Sequence, residues 1–487
     1  MSRFDPGRRR WLAAASLPFA AQVPLVGRAA DELKAAAPAP GTLPPLFDDI
    51  ARRTFAWFWE TTPVETGLTR DRSPSQDVCS IAAVGFGLTA YPVGVERGYI
   101  TREQAVQRVA VTLRFFRNAP QGPAPRGMTG HRGWYYHFLE AKTGARSKDS
   151  ELSTIDTALL LAGILFCRTY FDRDTPDEGE IRRLADEIYG RVDWAWMQVR
   201  PPAICHGWSP EGGFIKYDWR GYNEAMLLYV LALGATERAI GPEAWSAWTI
   251  TYGEFWGMLY GQEHLTFAPL FGHQYSHTWI DFRGIRDTYM RDKDIDYFEN
   301  SRRATYAQRA YAIANPGGWK DYGENVWGLT ACDGPTRADR MYRGTSRRFR
   351  PYSARGVGLK RIEDDGTIAP TAAASSLPFA PEIVVPAVVE MHRRFGERIY
   401  GQYGFFDSFN TSFEYDDAPL HWGKRVPGFG WVDTDYLGID QGPILAMMQN
   451  HLTGLVWRTM RANPVIRRGL KRAGFTGGWL EESRNAA

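Results

Sequence analysis

Apolar residues return every three or four positions through segment after segment of this chain, and Gly, Pro, Asp and Trp collect in the stretches between them. That spacing turns one face of each segment toward a core and predicts helix. Alternating runs of β-branched residues, the mark of half-buried strand, are scarce. The pattern predicts helices over 46–61, 80–97, 102–117, 154–171, 178–197, 222–240, 242–260, 274–290, 297–314, 371–377, 381–395 and 441–457, with a short amphipathic segment over 464–473. The chain therefore reads as all-α. Long connections fall at alternate junctions, so the twelve helices pair into six hairpins closing into a double-layered toroid with the even-numbered helices inside. All inner helices then start at one face. Helix starts carry unpaired N–H groups and partial positive charge, so acidic residues placed there are held as anions and aimed at a common opening.

Composition narrows the partners. Lys and Arg total 58 against 55 Asp and Glu, with no basic run beyond the first residues, which argues against nucleic acid. Aromatics form 14% of the chain, with 18 Trp and 23 Tyr, and flat rings are surfaces on which sugar faces stack. Residues 1–30 read as a twin-arginine-type export signal: Arg8-Arg9-Arg10 precedes an apolar stretch from Leu12 to Val26. That stretch falls short of the roughly 20 residues a bilayer span needs, so no permanent membrane span is expected and the location is periplasmic or secreted. Residues 31–45 are an Ala- and Pro-rich linker, 46–476 the folded domain, and 477–487 a C-terminal tail. Cys79, Cys167, Cys205 and Cys332 lie far apart, without the spacing of a zinc or iron–sulfur site, and read as buried small hydrophobes.

The starts of the even helices bring together Asp156 on the fourth, Tyr222, Asn223 and Glu224 on the sixth, His273 and His277 on the eighth, and Asp440 on the twelfth. Loops feed the same opening with Glu211, with Trp327 and Asp333, and with Asp407. Two carboxyl groups facing one cleft can divide acid and base work: one donates a proton to a leaving oxygen and the other activates water. Glu224 is the candidate acid, because partial burial among aromatics raises a carboxyl pKa, although a helix start lowers it. Asp407 is the candidate base, with Asp440 its competitor. Asp440 also reads as an N-cap, and Asp156 equally as a first-turn aspartate. Asp156, Glu211, Tyr222, Asn223, His273, His277, Trp327 and Asp440 are the candidate substrate contacts. His273 and His277 stand one turn apart as metal-binding pairs do, but the residues between them lack the glutamate of an HExxH site, so no metal is expected.

These residues sit in longer segments that resemble the glucoamylase-like domain of glycoside hydrolase family 144, whose characterised bacterial members are endo-β-1,2-glucanases. The segments are 80–98 (SIAAVGFGLTAYPVGVERG), 130–143 (GHRGWYYHFLEAKT), 153–163 (STIDTALLLAG), 209–213 with 221–226 (SPEGG and GYNEAM), 271–284 (FGHQYSHTWIDFRG), 297–306 (YFENSRRATY), 327–335 (WGLTACDGP) and 436–443 (YLGIDQGP). The resemblance spans nearly all of 46–475. It implies an (α/α)6 barrel, hydrolysis with inversion, no metal or organic cofactor, and a cleft for several glucose units of a β-glucan. Relatives of that kind also include sophorose-releasing exo-enzymes and β-1,2-glucan transglycosylases. A non-catalytic glycan-binding protein is the remaining class, and the presence of Glu224, Asp407, Asp440 and Asp156 together argues against it.

Overall fold

Helices alternate along the chain between an outer layer with one wet face and an inner layer that is apolar all round. The structure, a computed structural model, describes residues 43–481. The expected export signal, most of the expected linker and the last residues of the expected tail lie outside the described residues. Apart from two short helices in connections, Tyr252–Phe255 and Thr288–Asp292, the helices of the barrel in chain order are α1 (Pro45–Thr61), α2 (Ile81–Glu96), α3 (Arg102–Asn118), α4 (Thr154–Tyr170), α5 (Pro176–Gly190), α6 (Met226–Gly234), α7 (Glu243–Thr249), α8 (Phe271–Trp279), α9 (Tyr297–Ala314), α10 (Pro370–Ala374), α11 (Pro381–Phe395) and α12 (Gly438–Thr453). The even-numbered ones are buried along nearly their whole length, as in α2 from Ile81 to Gly94 and α6 from Met226 to Gly234. A helix covered on every side has no face for charge, which is why these segments carry so little of it. The odd-numbered ones bury a stripe, as α3 does with Ala105, Val109, Leu113 and Phe116. The result is an (α/α)6 barrel.

Glycine lets the inner ring close tightly. A Cβ on Gly85 of α2 would lie 2.2 Å from the Leu159 carbonyl oxygen of α4, and one on Gly163 of α4 would lie 2.2 Å from the Gly85 oxygen. The two backbones touch, which only residues without a Cβ permit. Polar bonds tie the other inner helices: Trp279 of α8 donates to Thr89 of α2 at 2.9 Å, and Gln274 of α8 donates to the Ala372 carbonyl of α10 at 2.8 Å. Beyond the twelve, α13 (Leu455–Arg461) and α14 (Pro464–Arg472) close the end opposite the long loops. Asn463 caps α14 through the Val465 and Ile466 amides, and Gly469 lies flat on Val230 of α6. Packing runs past position 476, since Trp479 and Leu480 are buried and the Trp479 indole bonds the Asp281 carbonyl at 2.8 Å.

Connections at the end where inner helices finish are short, apart from 280–296 after α8, and those at the end where they start are long. The long ones carry strands of two to five residues, too short to print an alternating pattern in the sequence. They stitch neighbouring loops into a rim: Cys79 pairs Leu139, Leu152 pairs Trp208, Arg72 pairs Leu437, and Ile368 bridges Phe409. Several expected helices are shorter than read. α6 begins at Met226, not 222, because Gly221 takes φ +78° and Asn223 Oδ1 accepts from the Ala225 amide at 2.9 Å, holding 221–225 as a turn. α7 runs Glu243–Thr249 instead of 242–260, α8 runs Phe271–Trp279 instead of 274–290, and 256–265, of which 256–260 was expected within the seventh helix, is a hairpin. All four cysteines are buried and unpaired. No helix among the described residues is long and apolar enough to cross a membrane.

Candidate active site

A hollow of about 160 Å³ opens in the rim, at the end where the inner helices start. Its floor is Glu224, Phe271, Tyr275 and Ile439, and its wall is the segment from Ala331 to Arg361. Glu224 reaches it from the turn before α6 and is 1% exposed. That turn is pinned from the next inner helix. Ser276 of α8 donates to the Glu224 carbonyl at 2.9 Å and accepts from the Leu227 amide at 3.0 Å. Tyr275 donates to the Ile439 carbonyl at 2.9 Å, fixing the start of α12 beside the floor.

Directly behind the rim lies a buried cluster of aspartates. Asp407 accepts from the Asp333 amide at 2.7 Å and lies 3.1 Å from the Ser408 hydroxyl. One oxygen each from Asp333, Asp407 and Asp433 falls within 4.8 Å of the others, a set able to hold a cation. Arg72 is the buried cation already present: its guanidinium meets Asp333 at 2.5 Å and Asp435 at 3.4 Å and stacks over Trp422. One guanidinium cannot balance that many carboxylates, so protons remain on some of them. Burial first, then the Asp333 charge, pushes Asp407 up to about 6, while a hydrogen bond from Asp440 pulls the other way. Burial, then the Asp407 charge, raises Asp440 well above the carboxylate range. Asp433 is raised in the same way by burial and the Asp333 charge. Cluster and hollow share their scaffold, since Ala331 and Ile439 line the hollow while Asp333 and Asp440 lie one or two residues further on. Glu224 and Asp407 are thereby brought to the same end of the barrel.

The remaining sequence candidates divide. Asp440 belongs to the cluster, and Asn223 shapes the Glu224 turn. Asp156 is fully buried in the first turn of α4, where the Ser153 hydroxyl donates to it at 2.5 Å and His137 Nε2 lies 3.5 Å away. Glu211 is half exposed and forms a bidentate pair with buried Arg146 at 2.7 and 3.0 Å, so it anchors the 207–214 hairpin. Three expected sugar contacts are corrected to core positions. Tyr222 stacks on Tyr297, His277 is fully buried against Phe282 and Phe379, and Trp327 is 1% exposed within the core. His273 is buried too, its Nε2 donating to the Phe267 carbonyl at 3.1 Å, while His277 Nε2 faces Ser301. The two rings therefore serve different partners. Asp433 and Arg72 were not legible as site residues. Asp333 stood in a quoted motif, but nothing local marks it as the neighbour of Asp407. The wall arginines Arg337, Arg348, Arg350 and Arg361 also escaped, although 337–361 is strongly basic once counted as a window.

A family model described as "Putative glucoamylase" matches residues 216–464. A curated relative from Parabacteroides distasonis, an exo β-1,2-glucooligosaccharide sophorohydrolase acting at the non-reducing end, is 29% identical over 459 residues. The match covers 88% of this chain but 57% of the relative, so the chain spans little more than half of that protein's length. A crystal structure from Bacteroides uniformis bearing the same description as the family is 31% identical, with a TM-score of 0.76 over 90% of this chain and 98% of that one. The endo-β-1,2-glucanase of Chitinophaga pinensis, solved with sophorotriose and glucose, is 28% identical, with a TM-score of 0.75 over 89% of this chain and 99% of that one.

Proposed function

The chain belongs to this glucoamylase-like family, and on that premise we propose that it is a glycoside hydrolase cleaving β-1,2-glucan. The observation that carries the reading is the pairing of a single carboxyl in an open hollow, Glu224, with a proton-sharing aspartate cluster behind the same rim segments. Glu224 protonates the glycosidic oxygen as its bond to the anomeric carbon breaks. Asp407, ionised above about 6, takes a proton from the water that forms the new bond on the opposite face of the sugar, and the product is inverted. Asp440 holds Asp407 through their shared hydrogen bond. The relatives named above act on β-1,2-linked glucose, one from within the chain and one from its end. The likeness to the endo-acting enzyme over 99% of its length, against 57% of the exo-acting relative, favours cutting within the chain. The basic N-terminal pattern supports export, which fractionation of the native cell checks.

The test is to incubate the purified chain with linear β-1,2-glucan and with β-1,3-, β-1,4- and α-1,4-glucans. Products of several sizes from the β-1,2-glucan alone are expected, with the α-anomer appearing first by NMR. Disaccharide as the sole early product would replace the endo reading with an exo one, and cleavage of another linkage would overturn the substrate.

A further inference from the structure

Between positions 337 and 361 the chain places eight arginines and one lysine against a single aspartate, in a protein whose whole balance is +3. The segment folds as a hairpin, 338–342 against 345–349, and a following strand, 352–354, and it forms one wall of the Glu224 hollow. Arg337, Arg348, Arg350 and Arg361 all line that hollow, while Glu224 is the one acidic residue that does.

The partners in the wall do not balance it. Asp339 takes Arg348 in a bidentate pair at 2.7 and 2.6 Å, and Glu363 serves both Arg350 and Arg361. Arg348, Arg350 and Arg361 share these two carboxylates, which leaves one positive charge of the three unmatched at the hollow. The buried acids behind the wall do not absorb it, because Asp365 is held by Arg355 at 2.7 and 2.8 Å and Asp333 by Arg72. Arg348 spends Nε and Nη2 on Asp339, and Arg361 spends Nη2 on Glu363. The other N–H groups of these two half-exposed side chains make no hydrogen bond among the described residues.

Neutral sugar hydroxyls are met by single donors and acceptors, whereas clustered planar guanidiniums match the paired oxygens of a phosphate or carboxylate. We propose that the preferred substrate is a glucan carrying an anionic substituent, a phosphate ester or a half-ester carboxylate on a glucose hydroxyl, seated against Arg348 and Arg361. The proposal rests on the glucan reading above and adds charge to it.

The experiment titrates linear β-1,2-gluco-oligosaccharides, unsubstituted, phosphorylated or succinylated on their primary hydroxyls, into the full chain carrying Glu224→Gln. Calorimetry at about 50 and about 500 mM NaCl separates a screened charge contribution from the rest. At low salt the substituted chains are expected to bind about ten-fold tighter, what one or two partly exposed charge-assisted contacts supply. The advantage should shrink at high salt, and adding Arg348→Gln with Arg361→Gln should bring substituted and neutral chains to within about two-fold. Comparing phosphate with succinate identifies which ester is taken. Equal or weaker binding of both esters overturns the proposal and leaves the glucan reading standing. An advantage that persists at high salt in the parent overturns it as well, whether or not the double variant folds. If no oligosaccharide binds at all, both readings fall together.

Discussion

Glu224 is nearly enclosed, yet it lines the hollow, and its main chain is held from α8 by Ser276. Replacing its side chain with the isosteric amide should therefore leave the turn intact and remove only the proton. Glu224→Gln is expected to lower kcat about 10²–10⁴-fold with KM little changed, the range for a lost general acid. Retained turnover would move the acid elsewhere. The base can be tested by direction as well as by loss. Asp407 works when ionised, so activity should rise with pH through about 6. The Asp333 charge raises that value and the Asp440 hydrogen bond lowers it. Asp333→Asn should then move the acidic limb of the kcat/KM profile to lower pH, and Asp440→Ala should move it higher. Two shifts of the same sign would show that Asp407 is not the group being read. A limb lost in Asp440→Ala and kept in Asp407→Asn would make Asp440 the base.

At the scale of elements, the contact between α2 and α4 fixes the spacing of the inner ring. A methyl on Gly85 would press on the Leu159 carbonyl, and backbone on both sides leaves it nowhere to go. Gly85→Ala should destabilise by about 1–3 kcal/mol or more as overpacking. Gly190→Ala, on the last residue of α5 with nothing within 4 Å, should gain up to about 1 kcal/mol from helix propensity. Denaturant midpoints of the two variants check both signs. The same contrast explains what could be read from the sequence. The helices and their alternation were legible because fully buried inner helices and striped outer ones leave different periodic traces. The convergence of Glu224 and Asp407 on one end followed from that alternation. Which face of a helix start looks into the hollow did not, and the pattern alone does not show that Tyr222, His277 and Trp327 pack inward. The aspartate cluster draws Asp333 from one rim connection, Asp407 and Asp433 from distant points of another, and Asp440 from a helix start, and such long-range meetings have no local signature. The basic wall was missed because its arginines are interleaved with aromatic and small residues and never form a run.

Across the whole molecule, two sets of buried groups pull stability in opposite directions with pH. Burial lowers His264 to about 4, His277 to about 3 and His273 well below 6.5. Below about 6.5 the unfolded chain takes up protons that these folded rings refuse, so they cost stability as pH falls. Burial and mutual repulsion raise Asp407 to about 6 and Asp433 and Asp440 further above 3.8. Above 3.8 the unfolded chain has released protons that these folded carboxyls keep. Their contribution is therefore whole below 3.8 and lost as pH rises through the folded values. Each group is worth up to about 1.4 kcal/mol per pH unit inside its window. From about 4 to about 6 the rings and the carboxyls act with opposite sign, which flattens the stability curve. Above about 6.5 the rings are neutral in both states, and whichever carboxyls still keep protons in the folded chain act unopposed, so stability should decline with rising pH until they ionise. Asp440→Asn removes one proton-keeping carboxyl while retaining an amide of similar shape, and it should flatten that decline. The measurement is the urea midpoint of parent and variant from about pH 4.5 to 8.5. A parent midpoint that keeps climbing above neutrality would mean that the cluster is ionised and paired, and the shared-proton account of Asp407 would go with it.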